Sequence, residues 1–275
     1  MILSTALPVG LTPSSVLPAL MALAAYLLAS WRGETRWLRR ALVTGWGAHA
    51  LALTAQVLGW GLPGDGARFG FAPALSIAVW LVLGGYVIES RFMPLPRVRR
   101  GLALLGSVTV LLALVFPGEP GVHPASPWAP LHWVLGLASY GLFGAAVLHA
   151  TWLDRAERAM RKAGRQPGQM PVLPLLTLEK LTYRFVLAGF AVLSLALLLG
   201  VWFTPVWHWD HKTVFSVLGW AVFAGLLAGR RAFGWRGRRA TRWLYIGTGL
   251  LLLAYVGSRF VFEVLLHRAP ALAGL

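Results

Sequence analysis

Eight apolar stretches follow one another along these 275 residues. Each approaches the roughly 20 residues that a helix needs to cross the hydrocarbon core of a bilayer. They run over residues 14–31, 41–62, 69–90, 101–116, 128–153, 185–203, 213–228 and 243–266. Charged residues make up 12% of the chain, about half of what a soluble domain needs to cover its surface, so a soluble globular enzyme is excluded. The expected fold is all-α: a polytopic membrane helical bundle of about eight transmembrane helices, filling residues 1–275 as a single domain. The opening MILSTALPVG has neither a basic start nor a small-residue cleavage site, so the first stretch reads as a retained span.

The formal charge of +16 could indicate nucleic acid, but the placement of the 25 Lys and Arg gives a different reason. Twenty-one lie in the odd-numbered loops, in the clusters Arg32–Arg40, Arg91–Arg100, Arg155–Arg184 and Arg230–Arg242. The other four are Arg68, Lys212, Arg259 and Arg268. With the acids subtracted, the whole net charge sits on one face. The positive-inside rule then puts both termini on the outer side, and no nucleic-acid partner is needed. Residues 154–184 form the long cytoplasmic loop. Its first part extends the fifth helix with charge, and its second, MPVLPLLTLEKLTYR, suits a short helix lying in the interface. There is no cysteine, so any metal or heme must be held by histidine.

Chemistry concentrates on the outer face. The sixth loop reads VWFTPVWHWDHKTVF and sets Trp207, Trp209, Asp210, His211 and Lys212 between two spans. An interfacial aromatic belt is the bland explanation. A flat aromatic shelf beside imidazoles also suits a planar ligand such as a porphyrin, which gains stacking area and an axial nitrogen together. His132, between Trp128 and Trp133 at the start of the fifth span, is either an iron ligand or an interfacial histidine bonded to a loop carbonyl.

These residues resemble the tryptophan-rich, heme-handling cytochrome c assembly proteins of the CcsA and CcmC kind. The family loop runs WGxxWxWDPKExWALITW. Counted from Asp210, Trp209, Trp207, Lys212 and Trp220 stand in register. The family's HVxLxxxSY is matched by His132, Ser139 and Tyr140, and GWRGRRATRWLYIGTGLLLLAYVGSRF is similar to a third family stretch. The resemblance covers residues 70–267 and is closest to the shorter YpjD-like inner-membrane branch. Here Phe203, His211, Thr213 and Phe215 replace hallmark residues. The resemblance implies a heme held on the outer face by Trp207, Trp209 and Asp210 with two axial histidines. His132 matches the first. His267, about one residue out of register, and His211 are rivals for the second.

Arg259 and Glu263, four apart, read as an ion pair within one helix, or else Arg259 is a heme-propionate partner. His49, mid-span, reads as bonding a neighbouring helix more readily than a metal, while His149 and His123 read as structural or solvated. The expected function is that of a heme-binding membrane protein assisting cytochrome c maturation. It would not be an enzyme, and its partners would be membrane lipid, other maturation proteins or an apocytochrome. The alternative is a transporter or accessory subunit, for divalent cations and without heme, using the outer His and Asp residues. The Arg-rich, Ala- and Leu-heavy usage suits a GC-rich bacterium and hence a bacterial inner membrane.

Overall fold

The computed structural model describes residues 13–33, 35–58, 67–91, 95–122, 126–163, 175–203 and 209–265. Among these are eight long helices: α1 (Pro13–Ala29), α2 (Arg36–Val57), α3 (Phe71–Glu89), α4 (Pro96–Val115), α5 (Ala129–Ala163), α6 (Leu175–Phe203), α7 (His211–Phe233) and α8 (Arg238–Leu252). α8 is prolonged by two π-helical turns, Leu253–Gly257 and Val261–Leu265, on either side of a short α turn, Ser258–Phe260. Among the described residues, six helices are long and apolar enough to cross a membrane, α3 to α8, the last with its extension. The apolar part of α1 is shorter, and α2 carries Arg36, Arg39 and Arg40 in its opening turns. The chain is thus a helical, multi-pass membrane protein.

Several ends differ from the apolar runs for local reasons. Thr35 caps α2, its Oγ1 accepting from the Leu38 amide at 3.3 Å, so the helix takes in arginines that hydropathy alone assigns to a loop. α4 starts at Pro96, whose ring presets the helical φ and whose missing N–H costs nothing in the first turn. From Leu175 onward, the segment expected to lie separately in the interface is instead the opening of α6, so these residues form one continuous helix. A two-stranded antiparallel ribbon is also present: β1 (Ala67–Phe69) pairs with β2 (Glu119–Val122), Ala67 opposite Val122 and Phe69 opposite Glu119. Strands this short, one containing Pro120 and Gly121, carry no alternating pattern to read in advance.

The described residues group into two compact units, one within 13–122 together with 259–265 and the other within 126–258. In the first, α1 turns Ala19, Ala22, Tyr26 and Ala29 inward at helical spacing. The Tyr26 ring fills a notch left by Gly45 on α2 and Gly106 on α4, where a Cβ would come within 2.7 and 2.9 Å of it. Between helices in lipid, close packing of this kind replaces the hydrophobic drive available in water. The Tyr26 hydroxyl and His49 Nδ1 are hydrogen-bonded at 3.1 Å, and His49 Nε2 and Ser76 Oγ at 2.7 Å. This buried chain ties α1, α2 and α3 together. Trp46 and Trp80 clasp α2 to α3: the rings stack 5.0 Å apart, and each indole N–H donates to the other residue's carbonyl.

The second unit repeats the device. Phe143 of α5 stacks on Phe223 of α7 at 3.8 Å, Phe143 against Gly189 of α6 and Phe223 against Gly247 of α8. Ala146, Ala150, Val186, Leu226, Leu244 and Leu251 close the core around them. At one end, the motif GWRGRR makes the α7–α8 corner. Gly234 (φ +63) caps α7 in the left-handed region, and the Trp235 ring lies against the bare Cα of Gly229. Arg236 grips Glu179 of α6 with two hydrogen bonds of 2.7 and 2.6 Å, and Arg230 reaches the same carboxylate at 3.3 Å.

Candidate functional site

The other end of the second unit gathers the start of α5, the end of α6, the start of α7 and the π-helical continuation of α8. His132, in the first turn of α5, is half-buried there. Its Nδ1–H donates to the Ala196 carbonyl of α6 at 2.8 Å. A carbonyl can only accept, so this bond places the proton on Nδ1 and the ring lone pair on Nε2. The ring lies over Gly200, where a Cβ would stand 3.0 Å from His132 Cε1. An imidazole that donates one N–H to a backbone carbonyl and keeps a basic second nitrogen is the usual arrangement of a metal-ligating histidine.

The tryptophan-rich loop enters this region through its last residues. Trp209 is 68% exposed, and Asp210 caps α7, its Oδ1 accepting from the Thr213 amide at 2.7 Å. Partial burial pushes the Asp210 carboxyl up. The hydrogen bonds from Thr213 and the charges of Lys212 and His211 outweigh it and hold the group below the usual carboxylate range. His211 is the exposed first residue of α7. Lys212 reaches over the ring of Tyr255, 5.8 Å from its centroid, and is close enough to His132 for its charge to act on that imidazole. Tyr140, one of the hallmark positions, donates its hydroxyl to the Leu251 carbonyl just before α8 turns π-helical. Trp220 stacks on Phe190 at 5.5 Å and donates to Ser194 Oγ at 2.9 Å, fastening α7 to α6.

Of the residues that the sequence singles out, His132 falls on α5, Trp209, Asp210, His211 and Lys212 at the start of α7, and Trp220 midway along α7, all in one unit. Trp207, His267 and His123 lie outside the described residues. Arg259 and Glu263 belong to the first unit, where their charged groups are 3.9 Å apart and Glu263 Oε2 also accepts from the Phe71 amide at 3.4 Å. His49 has both ring nitrogens hydrogen-bonded, to Tyr26 and Ser76, which fits a helix-to-helix tie rather than a metal ligand. His149 is buried and bonds the Ala145 carbonyl one turn back. Among the described residues, no three His, Asp or Glu side chains are grouped to hold a metal ion. Sequence reasoning did not reach Ala196, Gly200 and Tyr255. The first two act through a backbone carbonyl and a missing side chain, and neither leaves a chemical signature in a string of residues.

The family model described as "Cytochrome C assembly protein" matches residues 3–266. The chain is 29% identical over 240 residues to "Inner membrane protein YpjD" of Escherichia coli (strain K12), covering 83% of this chain and 89% of that protein. It is 28% identical over 245 residues to an "Uncharacterized 28.8 kDa protein in nifR3-like 5'region" of Azospirillum brasilense, covering 80% and 86%. A shorter match, 34% identical over 86 residues, is to "Cytochrome c biogenesis protein CcsA" of Synechococcus elongatus, covering 30% of this chain and 26% of that protein. No solved structure matches the chain.

Proposed function

The chain belongs to the cytochrome c assembly protein family, and on that premise we propose that it holds heme at the outer face of a bacterial inner membrane and assists cytochrome c maturation. The observation that carries this reading is His132, with its proton fixed on Nδ1 by Ala196 and Gly200 bare beneath its ring. His132 Nε2 would ligate the iron, and His211 in the same unit would supply a second nitrogen ligand. Trp209 would offer an aromatic face beside it, and Asp210 would keep the chain that precedes it anchored to α7. Lys212 supplies a positive charge suited to a propionate near His132. Heme bound there would supply a redox-active iron, which these residues would hold and orient for an acceptor. No substrate bond is broken by this chain, so it acts as a carrier rather than an enzyme. An apocytochrome or another maturation protein is the partner, and lipid is the solvent.

Eight spans, with both termini outside and the basic loops inside, complete the reading. The test is the visible spectrum of the detergent-purified full chain, oxidised and reduced, for the unaltered protein and His132→Ala. A Soret band with sharp reduced bands, lost or shifted in the variant, is the expected result. A colourless protein that also fails to take up added heme overturns it.

A further inference from the structure

The α7–α8 corner borders a groove that shares no residue with the surroundings of His132. This open groove of about 630 Å³ lies where α5, α6 and the corner meet, lined by Leu176, by Arg236, Arg238 and Arg239, and by the carboxylates Glu157 and Glu179. The three guanidiniums are not equivalent. Arg236 is spent on Glu179. Arg238 and Arg239 are exposed, and among the described residues neither pairs with a carboxylate. The Arg239 guanidinium lies 4.1 Å above the Trp235 ring, which is itself seated on Gly229, so its plane is set by the fold. The start of α8 adds to the positive field. Its cap is Gly237, with no side chain to accept from the first amides. A carboxylate already leans toward this cap: Glu157 Oε1 is 3.5 Å from where a Gly237 Cβ would lie.

We propose that this groove binds the phosphate of a phospholipid headgroup. Arg238 and Arg239 hold the phosphate oxygens, and the exposed Leu176 faces the first methylenes of the acyl chains. A fork of guanidinium donors matches phosphate oxygens. A basic pocket beside apolar walls, at the end of membrane-length helices, is where headgroup and chain can both be satisfied. Glu157 competes for the same positive field and sets how tightly the phosphate is held.

The test is native mass spectrometry of the full chain with equimolar phosphatidylglycerol and chain-matched diacylglycerol. Phosphatidylglycerol is expected to be retained about tenfold over diacylglycerol. That preference should vanish in Arg238→Gln/Arg239→Gln and grow in Glu157→Gln. Both substitutions leave the Arg236–Glu179 clamp intact, and melting in detergent checks that the fold survives. Equal retention of the two lipids, or a preference unchanged in the double variant, overturns the proposal. An Arg-dependent adduct of inorganic phosphate that excludes lipid also overturns it, because the groove would then serve free phosphate.

Discussion

At the scale of single residues, the second unit's candidate site depends on small features around one imidazole. Gly200 is the sensitive neighbour. An added methyl would stand 3.0 Å from His132 Cε1 and push the ring off its bond to Ala196. Gly200→Ala is therefore expected to lower heme retention or broaden the reduced bands while leaving the melting temperature nearly unchanged, as visible spectra and a melt would show together. In the first unit, Tyr26→Phe keeps the packed ring but leaves His49 Nδ1 without its partner. Its cost should be about 0.5–2 kcal/mol in a detergent unfolding titration, the range for one interhelical hydrogen bond in a membrane protein. The role of His49 could be anticipated from its place mid-span. Its partners could not, because Tyr26 and Ser76 are 23 and 27 residues away and only helix packing brings them together.

At the scale of elements, the apolar runs located the helices and left their ends open. Hydropathy reports where lipid is tolerated, whereas a helix ends where its backbone groups find other partners. α2 and α6 both begin earlier than their apolar cores, α2 because Thr35 caps it. α7 offers a direct check, since Asp210→Ala removes its cap and should cost about 1 kcal/mol in the same titration. The pH dependence has a definite sign. Asp210 is held below its ordinary value of 3.8 in the folded chain, so its contribution is fully present above that value and is lost as pH falls through the lower folded value. The stability difference between the unaltered protein and Asp210→Asn should therefore shrink on acidification below that range. Asparagine also caps a helix, so a difference that stays constant between neutral pH and pH of about 3 would count against stabilisation by the Asp210 charge.

For the molecule as a whole, the distribution of charge was legible from the outset because arginine clusters and apolar runs alternate along the chain. The division into two units was not, since Tyr26 in its glycine notch and the Phe143–Phe223 stack belong to separate cores that one hydropathy profile cannot distinguish. A chain without cysteine allows the proposed orientation to be read residue by residue. A membrane-impermeant thiol reagent applied to intact cells should label Trp209→Cys and spare Arg238→Cys, with both labelled after permeabilisation. The two π-helical turns at the end of α8 also bear on which changes of length the chain can absorb. A turn closed from residue i to i+5 holds one residue more than an α turn. A single deletion within Leu253–Gly257 can be taken up by a return to α geometry, with the downstream side chains keeping their facing. The same deletion within Arg238–Leu252 swings every later residue by about 100° around the helix axis.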